Sequence, residues 1–174
     1  GQLDFGESRL QEAMQKKNDL RDLEQLRWHF VGTLQKNKVR RVVKEFDFIH
    51  SVDSLPLLER ISRISQEERK TPSIFLQVKF REDPNKGGFL KQDILKSWPK
   101  IISLNNINLI GLMTIPPIAL NSSQRKDLFC ECRKFANHLG LKDCSMGMSN
   151  DWQEAVEGGA TWIRLGSLLF GKRQ

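Results

Sequence analysis

The sequence predicts an α/β fold in which helices cross over a mostly parallel β-sheet. Stretches typical of strands and of helices alternate along all 174 residues, with no low-complexity sequence or linker between them. Such alternation is typical of repeated βα units. We expect strands at about 3–6, 27–32, 47–52, 73–80, 107–115, 144–148 and 161–166. We expect helices at about 7–17, 35–45, 53–67, 91–103, 121–139 and 150–158.

Several boundaries between these elements carry residues with a specific backbone role. Asp53 and Ser54 can cap a helix that is entered at Pro56, because proline is favoured in the first helical turn. Pro116-Pro117 ends the strand before it. The run Asn121-Ser122-Ser123 can cap the next helix, and Gly140 fits its carboxyl end. The alternation therefore rests on local chemistry as well as on the spacing of apolar residues.

Composition indicates one soluble globular domain that spans residues 1–174. Hydrophobic residues make up 39% and charged residues 28%, which is usual for such a domain. No apolar run approaches the roughly 18 to 20 residues that a membrane span needs, and no signal peptide is visible at the start. Three cysteines without metal-like spacing indicate a reducing compartment, so we expect a cytoplasmic protein without a metal site.

The formal net charge of +7 raises the question of nucleic-acid binding. Lysine and arginine are spread over most segments, with one local concentration at 36–44. Nucleic-acid-binding surfaces usually have a basic arm or a series of aromatic residues among the basic ones. This sequence shows neither feature. We therefore expect neither a nucleic acid nor a membrane as partner.

Two small-residue turns near the end of the chain are the best candidates for a binding site. Ser149 follows one predicted strand, and Gly166-Ser167 follows the next, with Arg164 just before it. Small residues let backbone N–H groups approach a ligand. The loops after the last two strands of a parallel α/β barrel are the usual phosphate site. The alternative is that these are ordinary turn residues, since turns need small residues in any case.

The same segments resemble the pyridoxal-phosphate homeostasis proteins, the YggS/PROSC family, whose fold resembles the alanine racemase barrel. Four segments match the family in order: an Asp-Phe-Gly-Glu segment, a Trp-His-Phe-Val-Gly-Thr-Leu-Gln-Lys-Asn-Lys segment, a Gly-Leu-Met-Thr segment, and the paired carboxyl-terminal signature. They lie at 4–7, 28–38, 111–114, and 145–149 with 163–171. Together they extend the resemblance over essentially the whole chain.

The resemblance implies a (β/α)₈ TIM barrel, which has eight strands, whereas seven are predicted here. The segment matched at 4–7 belongs to the family's second strand. We therefore expect the sequence to begin one βα unit late. In the family, a lysine of the first strand holds the cofactor as a Schiff base, so we expect that lysine upstream of Gly1. Lys79, late in a predicted strand, is the alternative within the sequence.

The resemblance also implies which residues hold pyridoxal 5'-phosphate (PLP). Ser149 and the backbone of Gly166 and Ser167 match the family's phosphate-binding positions. The segment from Met146 to Met148 matches the stretch that passes beside the cofactor ring. No catalytic residue is implied within the sequence.

Three further positions follow from the match. Arg164 corresponds to the arginine that faces the pyridine nitrogen. His29 either points into the barrel near the ring or is a structural histidine, and His50 on the next strand has the same two interpretations. Ser8 departs from the family, which has asparagine there, and this puts one polar contact near the cofactor in doubt.

The implied function is non-catalytic binding of PLP in vitamin B6 homeostasis, with effects on amino-acid and keto-acid balance. We expect a monomer whose partners are PLP and PLP-dependent apoenzymes. One alternative is a racemase-like PLP enzyme, but the chain contains no tyrosine to act as the second base of an alanine racemase. The other alternative is a regulatory module that no longer binds the cofactor covalently.

Overall fold

The computed structural model describes residues 1–84 and 86–171, in which strands and helices alternate from end to end. The strands are β1 (Asp4–Glu7), β2 (Arg27–Phe30), β3 (Phe48–Val52), β4 (Ser73–Gln77), β5 (Asn108–Met113), β6 (Asp143–Met148) and β7 (Trp162–Arg164). The helices are α1 (Leu10–Asp19), α2 (Val39–Glu45), α3 (Leu55–Glu68), α4 (Lys91–Ile102), α5 (Ser122–His138), α6 (Trp152–Glu157) and α7 (Ser167–Phe170). Each predicted strand and helix is confirmed, with ends that differ by a few residues.

All seven strands run parallel, and strands that follow one another in sequence are also neighbours in the sheet. The order β1-β2-β3-β4-β5-β6-β7 curls into a nearly closed barrel with β1 and β7 at its edges. This confirms the predicted α/β barrel. Since the strands are parallel, the turns after β6 and β7 lie at the same end of the barrel.

The two faces of the sheet differ in chemistry, because successive side chains on a strand point to opposite sides. The outward face packs on the helices and is apolar, with Ile49, Leu76 and Leu112 fully buried in that layer. The inward face carries polar and aromatic groups. The ring of His50 stacks on Phe75 with 4.3 Å between ring centroids. The barrel interior is therefore a mixed polar and aromatic layer.

Capping signals were correct for α5 and only partly correct for α3. The Asn121 side chain accepts from Gln124 N–H at 2.9 Å, and the Gln124 side chain accepts from Asn121 N–H in return. Ser54 does occupy the position before α3, but its hydroxyl donates to Asp53 Oδ1 at 3.0 Å and does not cap the helix. Gly140 follows α5 with φ of +72°, as a residue ending a helix in the left-handed region should.

Two local features of the barrel went unpredicted. β4 ends at Gln77, because the next residues turn to pair with the following loop, where Lys79 N–H donates to the Phe89 carbonyl at 2.9 Å. The short helix α7 follows β7 directly.

Within residues 1–84 and 86–171, no helix combines the length and the apolar character needed to cross a membrane.

Candidate functional site

The turns after β6 and β7 meet at one hydroxyl group. Ser149 Oγ accepts hydrogen bonds from the backbone N–H groups of Gly166 and Leu168, each at 3.2 Å. Ser149 is half-buried, and Gly166 and Ser167 are exposed. A Cβ placed on Gly166 would meet nothing within 4 Å, so open space lies beside this turn. The structure thus brings Ser149 together with the Gly166-Ser167 turn, as the sequence predicted.

Arg164 lies at the end of β7, immediately before this turn. Its Nη1 donates to Ser145 Oγ at 2.7 Å, and its Nη2 donates to the carbonyl oxygen of Thr114 at 3.2 Å. These are its hydrogen bonds to the described part of the chain, and a guanidinium carries five N–H donors. Further donors of Arg164 are therefore left for a ligand.

The charge on Arg164 is maintained although the guanidinium is desolvated. Burial lowers the pKa of Arg164 to about 10, while the negative charge of the Asp151 carboxylate acts in the opposite direction. Asp151 is itself buried at the start of α6, where its carboxylate accepts from Met148 N–H at 2.6 Å. A pKa near that value keeps Arg164 cationic at neutral pH, so the site presents a fixed positive group.

A pair of histidines lies in the barrel interior next to these groups. His29 Nδ1 lies 2.9 Å from His50 Nε2, and His50 Nδ1 lies 2.7 Å from Ser145 Oγ. Burial lowers the pKa of His50 well below its usual range, and the positive charge of Arg164 lowers it further. Burial also lowers the pKa of His29, although the Asp4 carboxylate opposes this. Both rings are therefore neutral at neutral pH.

The structure separates the remaining predicted site residues from one another. His29 reaches Arg164 only through His50 and Ser145, so it is not in direct contact with the turn residues. Met146 has no exposed surface and belongs to the apolar layer between sheet and helices. Met148 is 37% exposed at the end of β6, where a ligand could touch it. The expectation that His29 and Met146 contact a cofactor stays a prediction.

Lys79 is the alternative lysine for a Schiff base. It is half-buried, and its side chain lies beside Gly88, where an added Cβ would come within 2.9 Å of Lys79 Cγ.

Ser8, the position at which the sequence departs from the family, precedes α1. Its carbonyl oxygen lies so close to Gly32 that a Cβ on Gly32 would overlap it. The glycine at position 32 therefore lets the segment after β2 lie directly against the segment after β1.

Sequence reasoning missed Ser145 and Asp4 as members of this region. Ser145 alternates on β6 with Cys144 and Met146, which are both in the outer apolar layer. That alternation points the Ser145 side chain inward, and it was available from the sequence once β6 was recognised. Asp4 offered no comparable signal, because its bond to His29 depends on the register of β1 against β2.

Comparison with known proteins places the chain in a family. The family described as "Alanine racemase, N-terminal domain" matches residues 1–174. The pyridoxal phosphate homeostasis protein of Synechocystis sp. is 43% identical over 176 residues, covering 98% of this chain and 81% of the relative. The corresponding protein of Pseudomonas aeruginosa is 38% identical over 175 residues, covering 99% of this chain and 76% of the relative.

Solved structures agree with the sequence relatives. PipY of Synechococcus elongatus with PLP bound superimposes with a TM-score of 0.93 at 44% identity, covering 98% of this chain and 82% of PipY. The alanine racemase of Clostridium difficile superimposes with a TM-score of 0.75 over 98% of this chain and 45% of the racemase. At 14% identity, that likeness shows a shared fold alone. This chain therefore belongs to the pyridoxal phosphate homeostasis proteins, within the alanine racemase N-terminal domain family.

Proposed function

We propose that this chain binds PLP at the turns after β6 and β7 and holds it for release, as a non-catalytic protein of vitamin B6 homeostasis. One observation carries the proposal: the cationic Arg164 is anchored by Ser145 and Thr114 next to the turn where two backbone N–H groups converge on Ser149 Oγ. The relative PipY, solved with PLP bound, supports the identity of the ligand.

The donor set of the turn suits a phosphate group. The N–H groups of Gly166 and Leu168 already point at an oxygen atom, that of Ser149, and the hydroxyl of Ser149 can donate in turn. Open space beside Gly166 admits a group that a larger side chain would exclude. Ser149, with the backbone of Gly166 and Ser167, would bind the phosphate.

Arg164 suits the pyridine nitrogen of the cofactor. It keeps donors beyond its bonds to Ser145 and Thr114, and a guanidinium donates a hydrogen bond without giving up its proton. When bound, PLP supplies an electron-withdrawing ring that can stabilise negative charge on an attached amino acid. Arg164 would keep the ring nitrogen unprotonated and so weaken that property. This favours storage and delivery over racemisation.

The wider assignment follows from this role. We place the single binding domain, residues 1–174, in the cytoplasm as a monomer that passes PLP to PLP-dependent apoenzymes. The three free cysteines among the described residues are consistent with a reducing compartment. The names of the relatives describe homeostasis and no reaction, which supports a protein without catalytic activity.

A titration with two ligands tests the proposal. PLP and its phosphate-free counterpart pyridoxal are titrated into the protein, and binding is followed by cofactor absorbance. Ser149→Ala should weaken PLP binding about 10-fold and pyridoxal binding hardly at all, because the bonds it removes, to the phosphate and to the N–H groups of Gly166 and Leu168, all lie at the phosphate turn. Arg164→Ala should weaken both ligands and change the absorbance of bound PLP.

Matched controls separate site effects from general ones. Ser123→Ala and Arg63→Ala exchange exposed residues of α5 and α3 and should bind both ligands as the unsubstituted protein does. No uptake of PLP by the unsubstituted protein, or equal affinity of all variants, would contradict the proposal. Measurable turnover in racemisation assays with amino acids would replace it by the enzyme alternative.

A further inference from the structure

A continuous series of hydrogen bonds crosses the barrel interior and ends on Arg164. Asp4 Oδ1 lies 3.0 Å from His29 Nε2, and His29 Nδ1 lies 2.9 Å from His50 Nε2. His50 Nδ1 lies 2.7 Å from Ser145 Oγ, which accepts from Arg164 Nη1 at 2.7 Å. The series joins β1, β2, β3, β6 and β7. Of its five residues only Arg164 is used in the proposed cofactor contacts.

The direction of this series is fixed by Arg164, which can only donate. Ser145 Oγ accepts from Arg164, which leaves the Ser145 hydroxyl hydrogen free to donate to His50 Nδ1. His50 must then carry its hydrogen on Nε2 and donate it to His29 Nδ1. His29 in turn carries its hydrogen on Nε2 and donates to Asp4. In this direction every bond in the series has one donor and one acceptor.

The opposite direction would leave groups unsatisfied. If His50 donated from Nδ1 to Ser145, the serine oxygen would accept two hydrogen bonds. The serine hydroxyl hydrogen would then have no acceptor within the series. The neutral His29 would then turn an unprotonated Nε2 toward the Asp4 carboxylate, and two acceptors would face each other. A buried polar group without a partner costs free energy, so one tautomer of each ring is selected.

Aromatic side chains close off the two histidines from water. His29 is 4% exposed and stacks on Phe48 at 4.1 Å between ring centroids, with 3° between the ring planes. His50 is 1% exposed and stacks on Phe75. Trp162 packs beside both rings at 5.2 and 6.4 Å. The two rings are therefore held by stacking as well as by hydrogen bonds.

We propose that His50 and His29 are positioning residues that, through the Ser145 hydroxyl, hold the Arg164 guanidinium in the orientation that meets the cofactor ring. This rests on the proposed function, in which Arg164 faces the pyridine nitrogen. Because the Ser145 hydrogen is committed to His50, the serine oxygen turns its lone pairs to Nη1 of Arg164. The Thr114 carbonyl holds Nη2, and two bonds on two nitrogens fix the plane of the guanidinium.

Nuclear magnetic resonance of histidine side chains tests the direction of the series without any cofactor. With ¹⁵N-labelled histidine, long-range ¹H–¹⁵N spectra distinguish a protonated from an unprotonated ring nitrogen. We expect His29 and His50 both to be neutral with the hydrogen on Nε2 at neutral pH, and His138→Gln identifies the third histidine signal. A hydrogen on Nδ1 of either ring, or a doubly protonated ring, would overturn the proposal.

Ser145→Ala tests the link to Arg164. It should weaken PLP binding about 10-fold, because Arg164 loses one anchor. It should also shift the absorbance of bound PLP, whereas His50 should keep its hydrogen on Nε2, because His29 and Asp4 still require that tautomer. Ser51→Ala is the matched control, since Ser51 neighbours His50 on β3 but bonds to the Gly32 carbonyl; it should change none of the three readouts.

The two readouts distinguish failure of this inference from failure of the proposed function. If the unsubstituted protein binds PLP and Ser145→Ala binds it with the same affinity and absorbance, positioning by the histidines is overturned while cofactor binding stands. If the unsubstituted protein does not bind PLP, the proposed function fails and the positioning role fails with it. The tautomers of His29 and His50 still report whether the directed series exists.

Discussion

Replacing His50 with glutamine should remove much of the stability loss that we expect when the pH falls from about 7.5 to about 5.5. His50 is 1% exposed, and the charged groups nearest to it in the series are Arg164 and, beyond His29, Asp4. Burial lowers its pKa well below the usual range, so it stays neutral in the folded state. Glutamine cannot titrate but still offers a donor and an acceptor.

The magnitude follows from the protons that each state binds. In the unfolded chain His50 titrates near its usual pKa of about 6.5. As the pH falls, the unfolded state therefore binds a proton that the folded state does not bind. Stability therefore falls as the pH falls through that value. Over this window one fully neutral histidine costs about 1.4 kcal/mol, and His29, whose pKa is lowered too, adds to this.

The assay is urea unfolding followed by tryptophan fluorescence at both pH values. The quantity compared is the change in unfolding free energy between them, because His50→Gln also loses its stacking on Phe75 at either pH. His138→Gln exchanges an exposed histidine of α5 and should behave as the unsubstituted protein. An equal pH dependence for His50→Gln and the unsubstituted protein would refute the reasoning.

Two further predictions concern stability at neutral pH, measured by the same unfolding assay. Gly32→Ala should destabilise the fold by about 1–3 kcal/mol or more, because the new Cβ overlaps the Ser8 carbonyl oxygen. Gly6→Ala, whose Cβ would make only ordinary contacts, should stay within about 1 kcal/mol, and equal effects would show that no close approach exists. Asn121→Ala should cost about 1 kcal/mol through loss of the capping box. Ser123→Ala should cost less, and the reverse order would contradict the cap.

The order and type of the elements could be predicted because each strand and helix carries its own local signal. The helix α5 is an example. Asparagine at its start and glycine after its end are residue types that favour those positions, so both boundaries could be predicted. The early end of β4 could not be predicted. It depends on pairing between Lys79 and Phe89, which are separated by a loop and show no pattern in sequence.

The candidate site was predictable only in part for the same physical reason. Ser149 and Gly166 were found because each follows a strand, and parallel strands bring such turns to one end of the barrel. The series from Asp4 to Ser145 joins residues 25, 21 and 95 positions apart along its three bonds. Contacts of this kind depend on strand register, which the pattern of apolar residues leaves undetermined.

A crystal structure of the protein soaked with PLP tests the central claim most directly. We predict the phosphate within hydrogen-bonding distance of Ser149 Oγ and the backbone N–H groups of Gly166 and Ser167. We predict the pyridine nitrogen at the guanidinium of Arg164, with the bond from Arg164 to Ser145 retained. PLP bound elsewhere on the barrel, or bound here with its ring nitrogen facing another group, would contradict the assignment.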